Sequence, residues 1–386
     1  MTKKIITNIY KKLSLSILIL FFLQNNVFSE ENKKEDNNNL SFLNSKLNIY
    51  GWFSQNIFYD SSNKETPLSF AQRNFNLITN FSIDEHLHFF SNIFWSSAER
   101  GSFTENLLGT LEMEQAWAEY SFSDYANIRV GQFLSPFGIW NQNHPASTSY
   151  VSVYLPKSFY GEGPFGLLFS ENNRGVLFHG STELFNESRL KYDLYVSQSS
   201  FDNTKPQQEN ENTEQKENNS EKNESQNFIF NDKSIGGRLR FKPLENLTLG
   251  SSFFIEKNGI RKNALSSAYA GEISYSLGDF EAWGEIIFAR NQRLQNNKLV
   301  ESYQNSLGYY IWLSYTLFDN FIPYLTYSSY ISDMETNKDI ENYVAGGLTY
   351  TFSPNLMLKS QATFFMYPNM SQNNHNMYAM QFAISF

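Results

Sequence analysis

The sequence has 386 residues, a formal net charge of −9 and no cysteine, and 17% of its residues are aromatic. The lack of cysteine excludes disulfides and thiolate metal sites, and an acidic chain without a basic, aromatic-interleaved patch is not typical of a nucleic-acid-binding protein. After the first 30 residues no apolar run approaches the roughly 20 residues that a transmembrane helix needs, which excludes a helical membrane protein.

The N-terminus has the pattern of a secretory signal peptide. Four lysines up to Lys12 precede an apolar stretch from Leu13 to Leu23, and "VFS" follows before Glu30. The apolar core of about 11 residues is too short to cross a bilayer as a helix, which disfavours the alternative of an uncleaved anchor. We therefore predict a signal peptide over residues 1–29, cleaved after Ser29, and a polar leader over residues 30–46.

From residue 47 to residue 386 the hydrophobic pattern has a period of two. Leu239 and Phe241 alternate with Arg238 and Arg240, for example, so that one face of each segment is apolar and the other polar. Such segments are typical of half-buried β-strands. The predicted strands cover about 47–59, 69–83, 86–97, 112–122, 127–134, 173–181, 189–198, 232–242, 246–256, 265–277, 280–290, 303–317, 320–331, 341–352, 355–366 and 376–386.

Short and long connections alternate along these segments. Tight links such as "KPLEN" and "FSPN" are separated by longer polar stretches such as "NQRLQNNKLVE" and "SDMETNKDIE". In membrane barrels short turns face the periplasm and long loops face outward. We predict an all-β fold: a transmembrane antiparallel β-barrel of about 16 strands with an inward-folded long loop. The apolar C-terminal strand "MYAMQFAISF" then pairs with the first strand, because lipid cannot satisfy an open sheet edge.

Two segments resemble the phosphate-selective porin family, the outer-membrane porins of O and P type. They are "AWAEYSFSDYANIRVGQFLSPFGIWN" from Ala116 to Asn141, with its "GQF" and "PFG", and "ENNRGVLFHG" around Arg174. The resemblance implies a sixteen-stranded, trimeric porin whose third long loop, here residues 136–172, folds into the lumen as a constriction. The terminal "FAISF" partly resembles the signal that outer-membrane barrels present to their assembly machinery.

The polar faces of the strands carry both signs of charge. Five predicted lumen cations stand against six anions, Glu119 among them, so we expect a general or weakly selective pore without the continuous basic array that strong anion selectivity needs. The alternative is that Arg238 and Arg240 only hydrate a wet lumen. The predicted pore-lining residues are Arg129, Lys191, Asp193, Arg238, Arg240, Glu256, Glu272, Glu281, Glu285 and Lys359.

Two connections have opposite compositions. The loop over 136–172 is rich in apolar residues, which would be sheltered against the inner wall; its predicted constriction residues are Pro136, Phe137, Gly138, Lys157 and Glu162. The "SPFG" sequence can also be no more than a turn that bends the loop. The loop over 199–231 has almost no apolar residue between positions 205 and 227 and is predicted to be a disordered extracellular loop.

The sequence gives weaker support to a metal site or a catalytic site. Asp84, Glu85, His86 and His88 include metal-binding residue types, but they fall in a short turn where polar residues are expected. The other histidines, His144, His179 and His375, share no spacing, so no catalytic set can be located. We expect no cofactor and no enzymatic activity.

The expected function is that of an outer-membrane porin, a water-filled channel for passive diffusion of small hydrophilic solutes or ions. The alternative is a surface adhesin or receptor that uses the barrel as a scaffold. The expected location is the bacterial cell outer membrane. The expected partners are the lipid bilayer and lipopolysaccharide, the transported solutes or ions, the barrel assembly machinery and two further copies of the chain in a homotrimer, with no nucleic acid.

Overall fold

A computed structural model describes most of the chain from Leu47 onward, and residues 47–386 form one compact unit. The described residues are 47–62, 68–96, 110–141, 148–156, 169, 171–184, 188–199, 233–258, 264–295, 298–336, 338–368 and 373–386. The predicted signal peptide, the leader and nearly all of the loop over 199–231 lie outside these ranges. Within them, no helix has the length and apolarity to span a membrane.

Sixteen antiparallel strands form one closed barrel, in which each strand pairs with the next and the last pairs with the first. The prediction of a closed barrel of about 16 strands is therefore confirmed. The strands are β1 (Leu47–Asp60), β2 (Leu68–Ser82), β3 (Leu87–Ser96), β4 (Thr110–Ser123), β5 (Ala126–Leu134), β6 (Asn172–Glu183), β7 (Arg189–Ser199), β8 (Lys233–Leu244), β9 (Leu247–Asn258), β10 (Ala264–Leu277), β11 (Phe280–Gln295), β12 (Lys298–Tyr315), β13 (Phe321–Asp333), β14 (Lys338–Ser353), β15 (Leu356–Met366) and β16 (His375–Ser385).

Alternation along each strand separates the two faces of the wall. On the paired strands β8 and β9, Leu239 and Leu249 are 50% and 41% exposed, while Arg238 and the opposed Ser252 are buried. The same alternation on other strands gives the outside of the barrel a band of exposed apolar side chains. Such a continuous apolar surface is typical of a membrane-facing one.

Two of the connections predicted to be long polar loops are instead strand extensions. β11 runs to Gln295 and β12 begins at Lys298, while β13 runs to Asp333 and β14 begins at Lys338. Arg293 of β11 forms an ion pair with Asp333 of β13, with 2.6 Å between Nη2 and Oδ2, and so joins the β11–β12 hairpin to the β13–β14 hairpin. A strand that is polar on both faces has the composition of a loop, so the sequence pattern alone could not separate the two.

The seam between β1 and β16 closes the sheet at the chain terminus. The backbones of Gly51 and Phe386 exchange two hydrogen bonds, at 2.9 and 3.0 Å. The ring of Phe386 stacks on Phe75 of β2 with centroids 6.2 Å apart. The terminal residue therefore takes part in the wall, because it satisfies backbone groups that lipid could not.

Candidate functional site

The long connection after β5 turns into the barrel immediately. Ser135 N donates to Glu171 O at 2.8 Å, which ties the two ends of the loop together, and Phe137 N donates back to Ser135 O at 2.8 Å. Gly138 has φ +67°, a left-handed conformation that favours glycine. The predicted loop residues Pro136, Phe137 and Gly138 are all buried. Residues 135–141 and 148–156 are called the inserted segment below.

The first half of the inserted segment contacts the wall several strands away. Gly138 N donates to Ser252 Oγ of β9 at 3.3 Å, and Ile139 N donates to Glu285 Oε1 of β11 at 2.7 Å. Both acceptors lie on the buried polar face of their strands. A chain that begins at β5 can reach both only from inside the barrel, so this half of the loop lies in the lumen.

An aromatic cluster holds the inserted segment against the wall. The Trp140 ring centroid lies 4.6 Å from that of Trp283, 5.9 Å from that of Tyr150 and 6.2 Å from that of Trp312. Burying a ring of this size removes about 150–250 Å² of surface from water. The cluster was missed in the sequence, although Trp283 has the same parity as Glu281 and Glu285 and therefore points inward.

The second half of the inserted segment is bound to β14 and β15. Gln361 Oε1 accepts hydrogen bonds from Val153 N and Tyr154 N, both at 3.1 Å. Lys359 Nζ donates to Ser152 O at 3.2 Å and lies 4.3 Å from the ring centroid of Tyr150. Lys359 therefore serves as an anchor for the inserted segment and is fully buried.

Two groups of charged residues on the inner face of the barrel form ion pairs. The Arg238 guanidinium donates to both carboxylate oxygens of Glu272, at 2.7 and 2.8 Å, and both side chains are buried. On β4 and β5, Arg129 Nη2 lies 2.7 Å from Glu119 Oε2, and His179 Nε2 contacts the same oxygen at 2.9 Å. Paired charges contribute little net field to the lumen.

The ten predicted pore-lining residues differ in solvent exposure. Arg238, Glu256, Glu272, Glu285 and Lys359 are buried. Arg129, Asp193, Arg240 and Glu281 are half-buried, and Lys191 is exposed. The structure brings Lys191, Asp193, Arg240 and Arg129 together around one cavity of about 460 Å³. The predicted constriction residues Lys157 and Glu162 lie outside the described residues.

In the turn that contains the candidate metal ligands, the polar side chains form hydrogen bonds to nearby protein groups. Asp84 Oδ1 accepts hydrogen bonds from the backbone of His86 and Leu87, at 2.8 and 2.7 Å. His86 Nδ1 contacts Ser121 O, and His88 Nδ1 contacts Ser82 Oγ, both at 2.8 Å. In the described ranges no three acidic or histidine side chains converge in a way that could hold a metal ion.

Comparison with solved structures identifies the same architecture in outer-membrane proteins. The anion-selective porin from Comamonas acidovorans aligns with a TM-score of 0.59 and 10% identity, over 88% of this chain and 99% of that chain. OmpF of Salmonella typhi in complex with daunomycin aligns with a TM-score of 0.58 and 11% identity, over 88% of this chain and 97% of that chain. The loop L8 deletion mutant of OmpT, an outer membrane protein of Vibrio cholerae, aligns with a TM-score of 0.56 and 9% identity, over 88% of this chain and 99% of that chain. The chain has a porin fold.

The similarity to porins lies in the fold alone. No protein-family profile and no curated protein matches the sequence. The solved structures support the general porin part of the resemblance noted in the sequence, and not its phosphate-selective type. Within this porin fold, the inserted segment and the cavity of about 460 Å³ are features of the barrel interior.

Proposed function

We propose that the protein is a porin, a water-filled outer-membrane channel through which small hydrophilic solutes or ions diffuse passively. The observation that carries this proposal is the inserted segment, which contacts β9, β11, β14 and β15 from inside a closed barrel. A sixteen-stranded barrel has a lumen too wide to discriminate small solutes without such a narrowing. The residues assigned to the narrowing are Pro136, Phe137, Gly138, Lys157 and Glu162.

The proposed pore is weakly selective. The Arg238–Glu272 and Arg129–Glu119 pairs cancel charge within the wall, and Lys359 is covered by the inserted segment. No residue is assigned a catalytic role, and no cofactor is required for diffusion. The resemblance to the phosphate-selective porins rests on the "GQF" and "PFG" sequences near the start of the loop and does not alter this assignment.

The remaining assignments complete the proposal. The signal peptide over residues 1–29 directs export, the barrel assembly machinery reads the C-terminal strand, and the barrel lies in the bacterial cell outer membrane between lipid and lipopolysaccharide. Three copies associate as a homotrimer. The loop over 199–231 extends outward from the cell.

Single-channel recording of the purified protein in a planar bilayer tests the proposal. A porin gives stepwise insertion events with stable ohmic conductance in KCl. An adhesin or receptor with a plugged barrel gives none, even though the same protein shows the heat-dependent gel mobility of a folded barrel. Folded protein without conductance would therefore refute the channel and favour the adhesin.

A further inference from the structure

The cavity of about 460 Å³ lies between the inserted segment and the rim of short turns. Leu134, where the inserted segment begins, lines one end, and Asp124 of the β4–β5 turn lines the other. Its walls come from β3 to β8, whereas the inserted segment is bonded to β9, β11, β14 and β15. A solute that passes the inserted segment therefore meets this cavity on its way to the rim.

Two cations that line this cavity are neighbours on adjacent strands. Lys191 of β7 and Arg240 of β8 are directly opposed in the strand register, and both line the cavity. Like charges in opposed positions destabilise a sheet unless a counter-charge lies between them. The neighbouring cations Arg129 and Arg238 already have Glu119 and Glu272 as partners.

Lys191 and Arg240 form no close ion pair in the described part of the chain, and the two cations share the attraction of Asp193, which lines the same cavity. Glu272 also attracts Arg240 but is bonded to Arg238, and Arg240 Nε is buried without a hydrogen-bond acceptor among the described residues. A buried donor without an acceptor costs about 1–3 kcal/mol, and more for a charged group. An anion held between the two side chains would accept a hydrogen bond from Arg240 and would add a second counter-charge to that of Asp193.

The remaining lining indicates what kind of anion fits. Phe90, Leu134 and Leu177 give an apolar side that a small inorganic oxyanion would leave uncovered. Asp124 and Asp193 disfavour a second negative charge and can accept hydrogen bonds from hydroxyl or ammonium groups. Gln115, Asn127 and Ser181 add neutral hydrogen-bonding groups, and Arg129 and His179, both bonded to Glu119, also line the cavity.

We propose that this cavity is a binding subsite for small organic monocarboxylates that carry hydroxyl or ammonium donors. The carboxylate lies between Lys191 and Arg240, the carbon skeleton lies toward Phe90, Leu134 and Leu177, and the donors face Asp124 and Asp193. This inference rests on the proposed channel function and names a class of solute that the channel retains on its way through.

Gluconate is a suitable probe, because it joins one carboxylate to a hydroxylated chain. Added to a single open channel in KCl, it should reduce the current in a saturable way, whereas glucose, which lacks the carboxylate, should not. The half-blocking concentration should rise about tenfold in Lys191→Gln and again in Arg240→Gln, since each variant removes one charge-assisted contact. Lys233→Gln, an exposed cation at the far end of β8, is the matched control and should behave as the wild type.

Three results would overturn the subsite. They are equal block by glucose, equal half-blocking concentrations for gluconate and inorganic phosphate, and unchanged block in both variants. Conductance in KCl alone, on the same traces, tests the channel separately from the subsite. If the folded protein does not conduct, calorimetric binding of gluconate to the detergent-solubilised protein and to Arg240→Gln still decides whether the subsite exists.

Discussion

At the scale of single residues, the buried pair of Arg238 and Glu272 joins two strands that are not neighbours. Arg238 lies on β8 opposite Ser252 of β9, and Glu272 lies on β10 opposite Gly250 of β9, so the pair crosses β9 diagonally. A Cβ at Gly250 would lie 2.5 Å from Glu272 Cγ, so glycine leaves the path of the carboxylate open. The pair therefore depends on a residue that carries no charge.

Arg238→Ala should lower the free energy of unfolding by about 3–5 kcal/mol, because it leaves the Glu272 carboxylate buried and unpaired. Urea unfolding in lipid vesicles, followed by tryptophan fluorescence, measures the change. The surface pair of Arg189 and Glu183, 3.8 Å apart and largely exposed, provides the control. Arg189→Ala should cost less than about 1 kcal/mol.

The double variant Arg238→Ala with Glu272→Ala separates this explanation from simple loss of packing. If the unpaired carboxylate causes the cost, removing Glu272 as well should recover part of the stability. A double variant that is less stable than Arg238→Ala by the full cost of Glu272→Ala alone would show that the two residues are energetically independent.

At the scale of elements, the inserted segment is fixed at two places. Trp140 packs among Trp283, Trp312 and Tyr150, and Gln361 binds the backbone of Val153 and Tyr154. Apolar side chains that an exposed loop would present to water are sheltered, as Val153 shows with only 1% of its surface exposed. The segment is thus held by both apolar packing and directed hydrogen bonds.

Deleting residues 144–168 should raise single-channel conductance about twofold or more, because current through a water-filled pore increases with its narrowest cross-section. Planar-bilayer recording in KCl measures this directly. Deletion of residues 205–227, a polar stretch of similar length in another loop, is the matched control and should leave conductance unchanged. Equal conductance in both deletions would mean that the inserted segment is not the constriction.

At the scale of the whole molecule, the seam that closes the barrel pairs β1 with β16 and extends to the final residue. Phe386 exchanges two backbone hydrogen bonds with Gly51 and stacks on Phe75. Each bond contributes about 1 kcal/mol and the ring contact about 0.5–1.5 kcal/mol. A change of this one residue should therefore lower the stability of the closed sheet.

Deleting Phe386 should lower the free energy of unfolding by about 2–4 kcal/mol, the sum of these contacts. Urea titration in vesicles gives the value, and heat-dependent gel mobility gives the folded fraction. Phe318→Ala is the control, since Phe318 lies in a turn with 86% of its surface exposed and should change stability by no more than about 0.5 kcal/mol. A deletion variant as stable as the control would show that the seam does not need its last residue.

Much of the wall could be predicted from the sequence, since the outward position of Leu239 and the inward position of Arg238 follow from the period of two. The ends of β11 to β14 could not, because residues such as Arg293 and Asp333 belong to strands that are polar on both faces and so have the composition of a loop. The roles of Trp283 and Trp312 in holding the inserted segment were also missed, although their inward parity is visible in the sequence.

The sequence by itself determined the presence of the strands, their approximate number and the need to close, because alternation is a local property and an unpaired edge is costly in lipid. It also predicted five positive and six negative charges on the inner face, a set that does not include the buried Asp60 and Glu341. Only the tertiary structure decided what those charges do: Lys359 is covered, Arg238 is neutralised, and Lys191 and Arg240 are left opposed in a cavity. The physical reason is that charge pairing depends on strand register and on the path of the inserted segment, which join residues far apart in the chain.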